Sequence, residues 1–386
     1  MQFRHCVATV ALLAGVSWAR AQQPVAGDTQ PAAAETQPTA SAPDSVANDI
    51  PALLREYTEH EQAYRDAARE AGVKTDPRQH PAREYLPRFK DLAEKYAGQT
   101  AALPALTWIL EQASRPTISD TKTEVRWVVE RLTRDHAGQP EIAAALTGVS
   151  RTAWYLEPEP VHALYDAVLA QNQDHAVLAQ ATYQKAVFMA QCSEKMDDPK
   201  PVRQQALQLL RAVKKIYKDT EFAKRADAWI FDLQNLQVGM KAPEIIGVDA
   251  DGKAIKLSDY RGHVVVIDFW ASWDRSGRDA LLRERDLMSM FGDQPFVVLG
   301  INCDRTREEL KRFVRANQIN FPCIYDGPYG GAIAKEWNVQ GRTARFILDH
   351  HGIIRYRHVN DAQLEEAVRE LMKKAQATKD KKVKKT

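Results

Sequence analysis

The chain has 386 residues, 27% of them charged and 44% apolar, with a net charge of +2. That length allows two or more folded domains, and the composition is that of a globular protein. The near balance of charge gives no general case for nucleic acid or for an acidic partner. The four cysteines have neither C-x-x-C nor zinc-like spacing, so they are no disulfide framework and no metal knot.

Residues 1–21 read as a secretory signal peptide. Arg4 and His5 give a basic start, Val7–Trp18 is apolar but too short to span a bilayer, and Ala19-Arg20-Ala21 is an A-x-A cleavage site. The expectation is export to the periplasm or the extracellular space, with no stable membrane insertion after cleavage. Residues 22–47 are rich in Pro, Ala, Thr, Gln and Ser and hold almost nothing large and apolar. Such a segment cannot bury enough surface to offset its ordering entropy, so it reads as a flexible tether.

Residues 48–237 read as an all-helical domain of hairpin or solenoid type. Ile50, Leu53, Leu54 and Tyr57 recur at helical spacing after the start signal Asp49-Ile50-Pro51. Further helices are predicted over about 82–97, 100–114, 121–136, 140–150, 158–171, 175–191, 200–218 and 222–236. Pro81, Pro104, Pro116, Pro140, Pro160 and Pro201 lie near their starts, where a missing N–H is tolerated. Trp108, Trp127, Trp154 and Trp229 are expected to pack between helices. No clean repeat period is present.

From residue 238 the pattern changes to alternating strands and helices. Val264–Ile267 is an apolar, β-branched run of the kind a strand covered on both faces requires, and it continues as Asp268-Phe269-Trp270-Ala271-Ser272-Trp273-Asp274. Around it stand Val238-Gly239-Met240-Lys241-Ala242-Pro243, Leu257-Ser258-Asp259-Tyr260-Arg261-Gly262 and Phe321-Pro322-Cys323-Ile324-Tyr325-Asp326. Together these resemble the TlpA/ResA-like branch of the thioredoxin/peroxiredoxin-like redoxins, over residues 238–373. The resemblance implies a multidomain α+β chain in which an α/β thioredoxin-like domain follows the all-α one. An exported helical domain ahead of such a redoxin domain also resembles known bacterial proteins. Helices are then expected at about 275–291, 305–316, 333–337 and 362–373, with strands at 296–302 and 321–326 and a hairpin of 346–348 with 353–357. Residues 374–386 read as a solvated, Lys-rich tail.

That family carries F-W-A-S/T-W-C-x-x-C and a V-x-G-x-P-T loop. Here Asp274 and Gly277 stand at the two cysteine positions, and Thr343 stands at the cis-proline position. Thioredoxin chemistry needs a thiolate held at a helix N-terminus and a resolving thiol one turn on. A carboxylate at Asp274 suits the same helix terminus as an N-cap. Asp268 matches the buried acid of many thioredoxins. Trp270, Trp273, Asp274, Arg275, Arg278, Arg342, Thr343 and Arg345 are the candidates for a binding groove. The resemblance puts Arg345 in the sheet's interior, where the family has Thr or an apolar residue. A buried guanidinium there needs an acid, and the nearest by the resemblance are Asp274 and Asp268. Arg345, or failing it Arg342, is expected to pair with Asp274; otherwise the arginines only make the groove basic. Counting from Asp304 and Asp326 offsets Cys303 from Cys323 by two residues on adjacent strands. That is about 8 Å between Cα atoms, too far for a disulfide. His350, His351 and His358 read as surface residues, and no metal or cofactor is expected. The resulting expectation is a non-catalytic binding, scaffold or chaperone-like module with a protein or peptide partner. The competing one is a thiol–disulfide oxidoreductase or peroxiredoxin-like enzyme using a non-standard centre such as Cys303. A third makes the helical domain the partner-binding part.

Overall fold

The computed structural model describes residues 46–115, 117–328, 330–339 and 344–383, with backbone alone for 46–47 and 378–383. The expected signal peptide and nearly all of the expected tether lie outside the described residues, as do Pro116, Arg342 and Thr343.

Among the described residues, nine α-helices form the first half: α1 (Val46–Glu70), α2 (Ala82–Lys95), α3 (Leu103–Ala113), α4 (Thr121–Arg131), α5 (Ala143–Thr152), α6 (Pro158–Gln171), α7 (His175–Ser193), α8 (Lys200–Ile216) and α9 (Glu221–Asn235). Their starts follow local chemistry. Asp120 accepts from the Thr123 N–H, and Asp174 accepts from the N–H groups of Ala176 and Val177. Helix α1 begins before the expected start, so Pro51 lies inside it. Helix α4 does not run regularly to residue 136 but widens into a π-turn over Leu132–His136.

Two apolar cores hold these helices, and α7 belongs to both. Val177, Ala181 and Phe188 face the core built by α1 to α6, while Tyr183, Ala186 and Met189 face α8 and α9. A helix covered on both sides has no polar face to show, which is why α7 lacks a clear amphipathic stripe. Trp108 packs as expected, stacked on Phe89 at 3.9 Å and edge-on to Tyr57 at 4.9 Å. Trp127 and Trp229 are half-buried. Trp154 departs from expectation: it is 64% exposed, because the turn after α5 buries Ala153 instead.

The second half is a five-stranded sheet with helices on its flanks. Its elements are β1 (Ile246–Val248), β2 (Ala254–Lys256), β3 (Val264–Trp270), α10 (Arg275–Phe291), β4 (Phe296–Asn302), α11 (Arg307–Ala316), β5 (Cys323–Tyr325), α12 (Ala332–Glu336), β6 (Ala344–Leu348), β7 (Ile354–Arg357) and α13 (Asp361–Val383). The sheet order is β5-β4-β3-β6-β7, and β1 and β2 form a separate hairpin. Strands β3, β4 and β5 are parallel, while β6 runs antiparallel to β3 and β7.

Every residue of β3 is buried, and the alternation of the strand divides them between two cores. Val265, Ile267 and Phe269 face one, with Leu299, Phe346 and Trp337. Val264, Val266 and Trp270 face the other, under α10, α11 and α13. Helix α11 starts two residues later than expected, at a capping box. The Glu309 N–H donates to Thr306 Oγ1, and the Thr306 N–H donates back to Glu309.

Helix α13 runs well past residue 373, so the expected Lys-rich tail is helical as far as Val383. Leu371, Met372 and Ala375 remain buried, and the Glu365–Arg369 and Glu370–Lys374 pairs lie along its surface.

The passage from helices to sheet is itself ordered. The Gly239 N–H donates to Ile354 O and the Ala242 N–H to Gly352 O, which zips residues 239–242 to the start of β7 and the turn before it. Residues Asp44–Thr386 form one compact unit in which residue 238 marks a change of architecture.

Candidate functional site

The loop between β3 and α10 is pinned from two sides. The Ser272 N–H donates to Asp304 Oδ1 at 2.7 Å, and Arg278 Nη1 donates to Ser272 O at 3.1 Å. Asp304 is fully buried and is held in turn by Asn302 Nδ2 at 3.0 Å. Trp270, proposed for the groove, belongs instead to the core beneath it, 2% exposed and tilted against Phe313. The close approach of β4 to its indole needs a glycine: a Cβ on Gly300 would lie 2.9 Å from Trp270 Nε1. Trp273 is 59% exposed and Arg275 lies at the surface, so these two do line the open face of the loop.

Asp274 is the N-cap of α10. Its Oδ2 accepts from the Gly277 N–H at 3.0 Å and from Ser276 Oγ at 2.9 Å. The carboxylate therefore occupies the anion position of the helix terminus and uses the backbone N–H at position 277 to do so. The side chain is satisfied within its own turn, and the expected Arg345–Asp274 pair is absent among the described residues.

Arg345 is buried as expected but faces other acids. The β3–β6 register sets it opposite Asp268, and Asp268 lies on the face of β3 that α10 covers. Arg345 Nε comes to 2.8 Å from Glu284 Oε1 of α10 and 3.9 Å from Asp268 Oδ1, while Nη1 donates to Asp361 Oδ1 at 3.1 Å and to Val359 O at 3.2 Å. The contact with Glu284 is close in distance but lies outside hydrogen-bond alignment. Asp361, half-exposed, also pairs with Arg283. Asp268 and Glu284 are fully enclosed. Burial raises Asp268 against the opposing pull of Arg345, and burial together with the Asp268 charge raises Glu284 well above the carboxylate range. One buried guanidinium thus serves two buried carboxyls. Glu284 escaped the sequence reading, although Ala280, Leu281, Glu284 and Leu287 form a helical stripe with a single acid in it.

The thiols lie elsewhere. Cys303 follows β4, and its N–H donates to Trp270 O. Cys323 pairs in register with Gly300, so the two thiols are offset by three residues rather than two. An odd offset puts them on opposite faces of the sheet, and they fall in different cores. Cys192, Cys303 and Cys323 are all free. Burial pushes Cys303 up to about 12, with Asp326 adding to the rise, and burial pushes Cys192 up to about 11. Cys323, enclosed and near Glu284 and Asp268, is raised further. His351 and His358 are exposed and His350 is half-buried. Among the described residues no group of three or more His, Cys, Asp or Glu is placed to hold a metal ion.

Residues 238–357 match the AhpC/TSA family. The thiol-disulfide oxidoreductase ResA of Bacillus thuringiensis is 26% identical over 141 residues, which are 36% of this chain and 80% of that protein. The thioredoxin-like protein YneN of Bacillus subtilis is 25% identical over 127 residues, 32% of this chain and 72% of YneN. Among solved structures, a putative thiol:disulfide interchange protein DsbE from Chlorobium tepidum is 28% identical, with 36% of this chain and 97% of that one covered and a TM-score of 0.32. The C-terminal third of this chain is a redoxin domain of the AhpC/TSA family, similar to the ResA-like thiol–disulfide oxidoreductases.

Proposed function

We propose that the chain is an exported thioredoxin-like protein whose redoxin domain has given up dithiol chemistry and serves as a non-catalytic binding or scaffold module. The observation that carries this is the Asp274–Gly277 hydrogen bond at the start of α10. An activated cysteine would draw on that helix terminus for its lowered pKa, and a carboxylate already holds it. Among the described residues, Cys192 and Cys303 are half-buried and Cys323 is buried; all three are raised in pKa and set on separate elements. With Cys303 and Cys323 on opposite faces of the sheet and Cys192 on α7, the placement argues against attack and resolution by one pair of them, and none is a good thiolate at neutral pH. Export rests on the basic, apolar and A-x-A pattern of residues 1–21.

The relatives are named as thiol–disulfide oxidoreductases, so an insulin-reduction assay with dithiothreitol decides between the two readings. The purified chain is expected to reduce insulin no faster than dithiothreitol alone. Turnover above that background, abolished by Cys303→Ser, would establish a non-standard redox centre instead.

A further inference from the structure

A cleft of about 760 Å³ opens between the last helix of the helical region and the redoxin domain. Helix α9 forms one wall, and α12 with the two residues described beyond Trp337 forms the other. None of the residues from Trp270 to Arg278 lines it, so it is separate from the helix start just described.

Its floor is apolar, made by Ala228, Ile230, Phe231 and Val339. Its rim is basic. Lys224 and Lys335 are exposed and make no ion pair among the described residues, and Arg225 lies 5.0 Å over the Tyr183 ring with no carboxylate partner among them. Of the two acids at the cleft, Asp227 is engaged by Lys214, which leaves Glu336 against three cations. The walls are fixed before anything binds: Asn338 of one wall donates to Asp232 of α9 at 3.1 Å, and Arg357 of β7 pairs with the same carboxylate at 3.0 Å. A preset cleft between two folded parts, with an apolar floor and a rim of mostly positive charge, has the size of a ligand site and the character of one for an anionic ligand.

We propose that this cleft binds an acidic peptide segment that carries an apolar side chain. The apolar group would lie over Phe231 and Val339, and its flanking carboxylates would face Lys224 and Lys335. The proposal deepens the binding-module reading by locating the partner's contact, and rests on it only in assuming that the partner is a polypeptide.

Fluorescence anisotropy of a labelled peptide alternating Glu with Phe and Leu, titrated with the full chain, tests it. A peptide with Lys in place of each Glu is the control ligand. Binding of the acidic peptide is expected to weaken about tenfold or more in Lys224→Glu/Lys335→Glu, and also as salt is raised. The distant double variant Lys74→Glu/Lys253→Glu makes the same change in net charge and is expected to bind like the wild type. No binding at millimolar protein, equal binding of the lysine peptide, or equal weakening by the distant variant would each overturn the proposal. Insulin turnover would sink the non-catalytic reading yet leave this binding unaltered, so the two failures are distinguishable.

Discussion

Replacing Arg345 by alanine should destabilise the protein by about 3–5 kcal/mol at pH 7, because it strands two enclosed carboxyls. Asp268 is 1% exposed, Glu284 is fully buried, and the guanidinium between them is, among the described residues, the one buried positive group in the cluster. The pH dependence follows from the direction of the shifts. In the unfolded chain both acids lose their protons near pH 4. In the folded chain burial raises Asp268 to about 6 and Glu284 higher, so the folded state holds more protons across that window. Stability contributed by these groups is therefore complete below about pH 4 and declines as pH rises through the folded-state values. Without Arg345 the decline should steepen. The loss should be largest above pH 7, shrink toward pH 4, and be partly recovered by adding Glu284→Gln. Urea unfolding of the three proteins across pH measures this. A change below about 1 kcal/mol at pH 7 would mean that the arginine is solvated.

Asp232→Ala should cost a similar amount, about 3–5 kcal/mol, by stranding a different buried arginine. Arg357 on β7 is 7% exposed at its side chain and pairs with Asp232 of α9 at 3.0 Å; its other acidic partner, Glu194, lies at 3.7 Å. Asp232 also accepts from Gln237 at 2.6 Å and from Asn338 at 3.1 Å. One carboxylate thus ties α9, the residues after it, the end of α12 and β7 together. Asp232→Asn keeps the shape and should lose less than the alanine variant. The alanine variant should also expose residues 236–241 to proteolysis, since they pass directly beside the clamp. Wild-type stability and unchanged cleavage in Asp232→Ala would show that the helical region and the sheet are held by apolar contacts alone.

The Asp232 cluster was not read from the sequence, and the Arg345 cluster was read only as far as Asp268 as a near acid, although the elements that carry both were. Helical periodicity and proline placement located α6 at its observed ends and most other helices to within a few residues. The apolar run at 264–267 and its flanking motifs gave β3, α10 and β4 their places. Those patterns report burial and period, which are local properties. Partner choice is not local. Asp274 and Arg345 looked available to each other because both belong near the start of α10. The helix cap satisfied Asp274 three residues away, and antiparallel pairing with β3 turned Arg345 toward Asp268 and Glu284. Glu284 carried a readable signal, an acid inside an apolar stripe, and it calls for a buried cation. The thiol offset was miscounted by one because the β4–β5 register is set by Gly300 opposite Cys323, not by the aspartates that follow the strands. Trp154 was taken for core on size alone, whereas its turn spends its buried position on Ala153.

The most direct test of the account is the ionisation of the thiols in the native full-length chain, followed by thiolate absorbance in the ultraviolet from pH 5 to pH 10. With Asp274 holding the helix terminus and Cys192, Cys303 and Cys323 raised by burial, no thiolate should form below about pH 8.5, the ordinary thiol value. Denaturation should then release the absorbance of all three of these thiols. A thiol that ionises below pH 7 in the native protein and is lost in Cys303→Ser would contradict the account, because it would show an activated nucleophile in a domain said to have given up thiol chemistry.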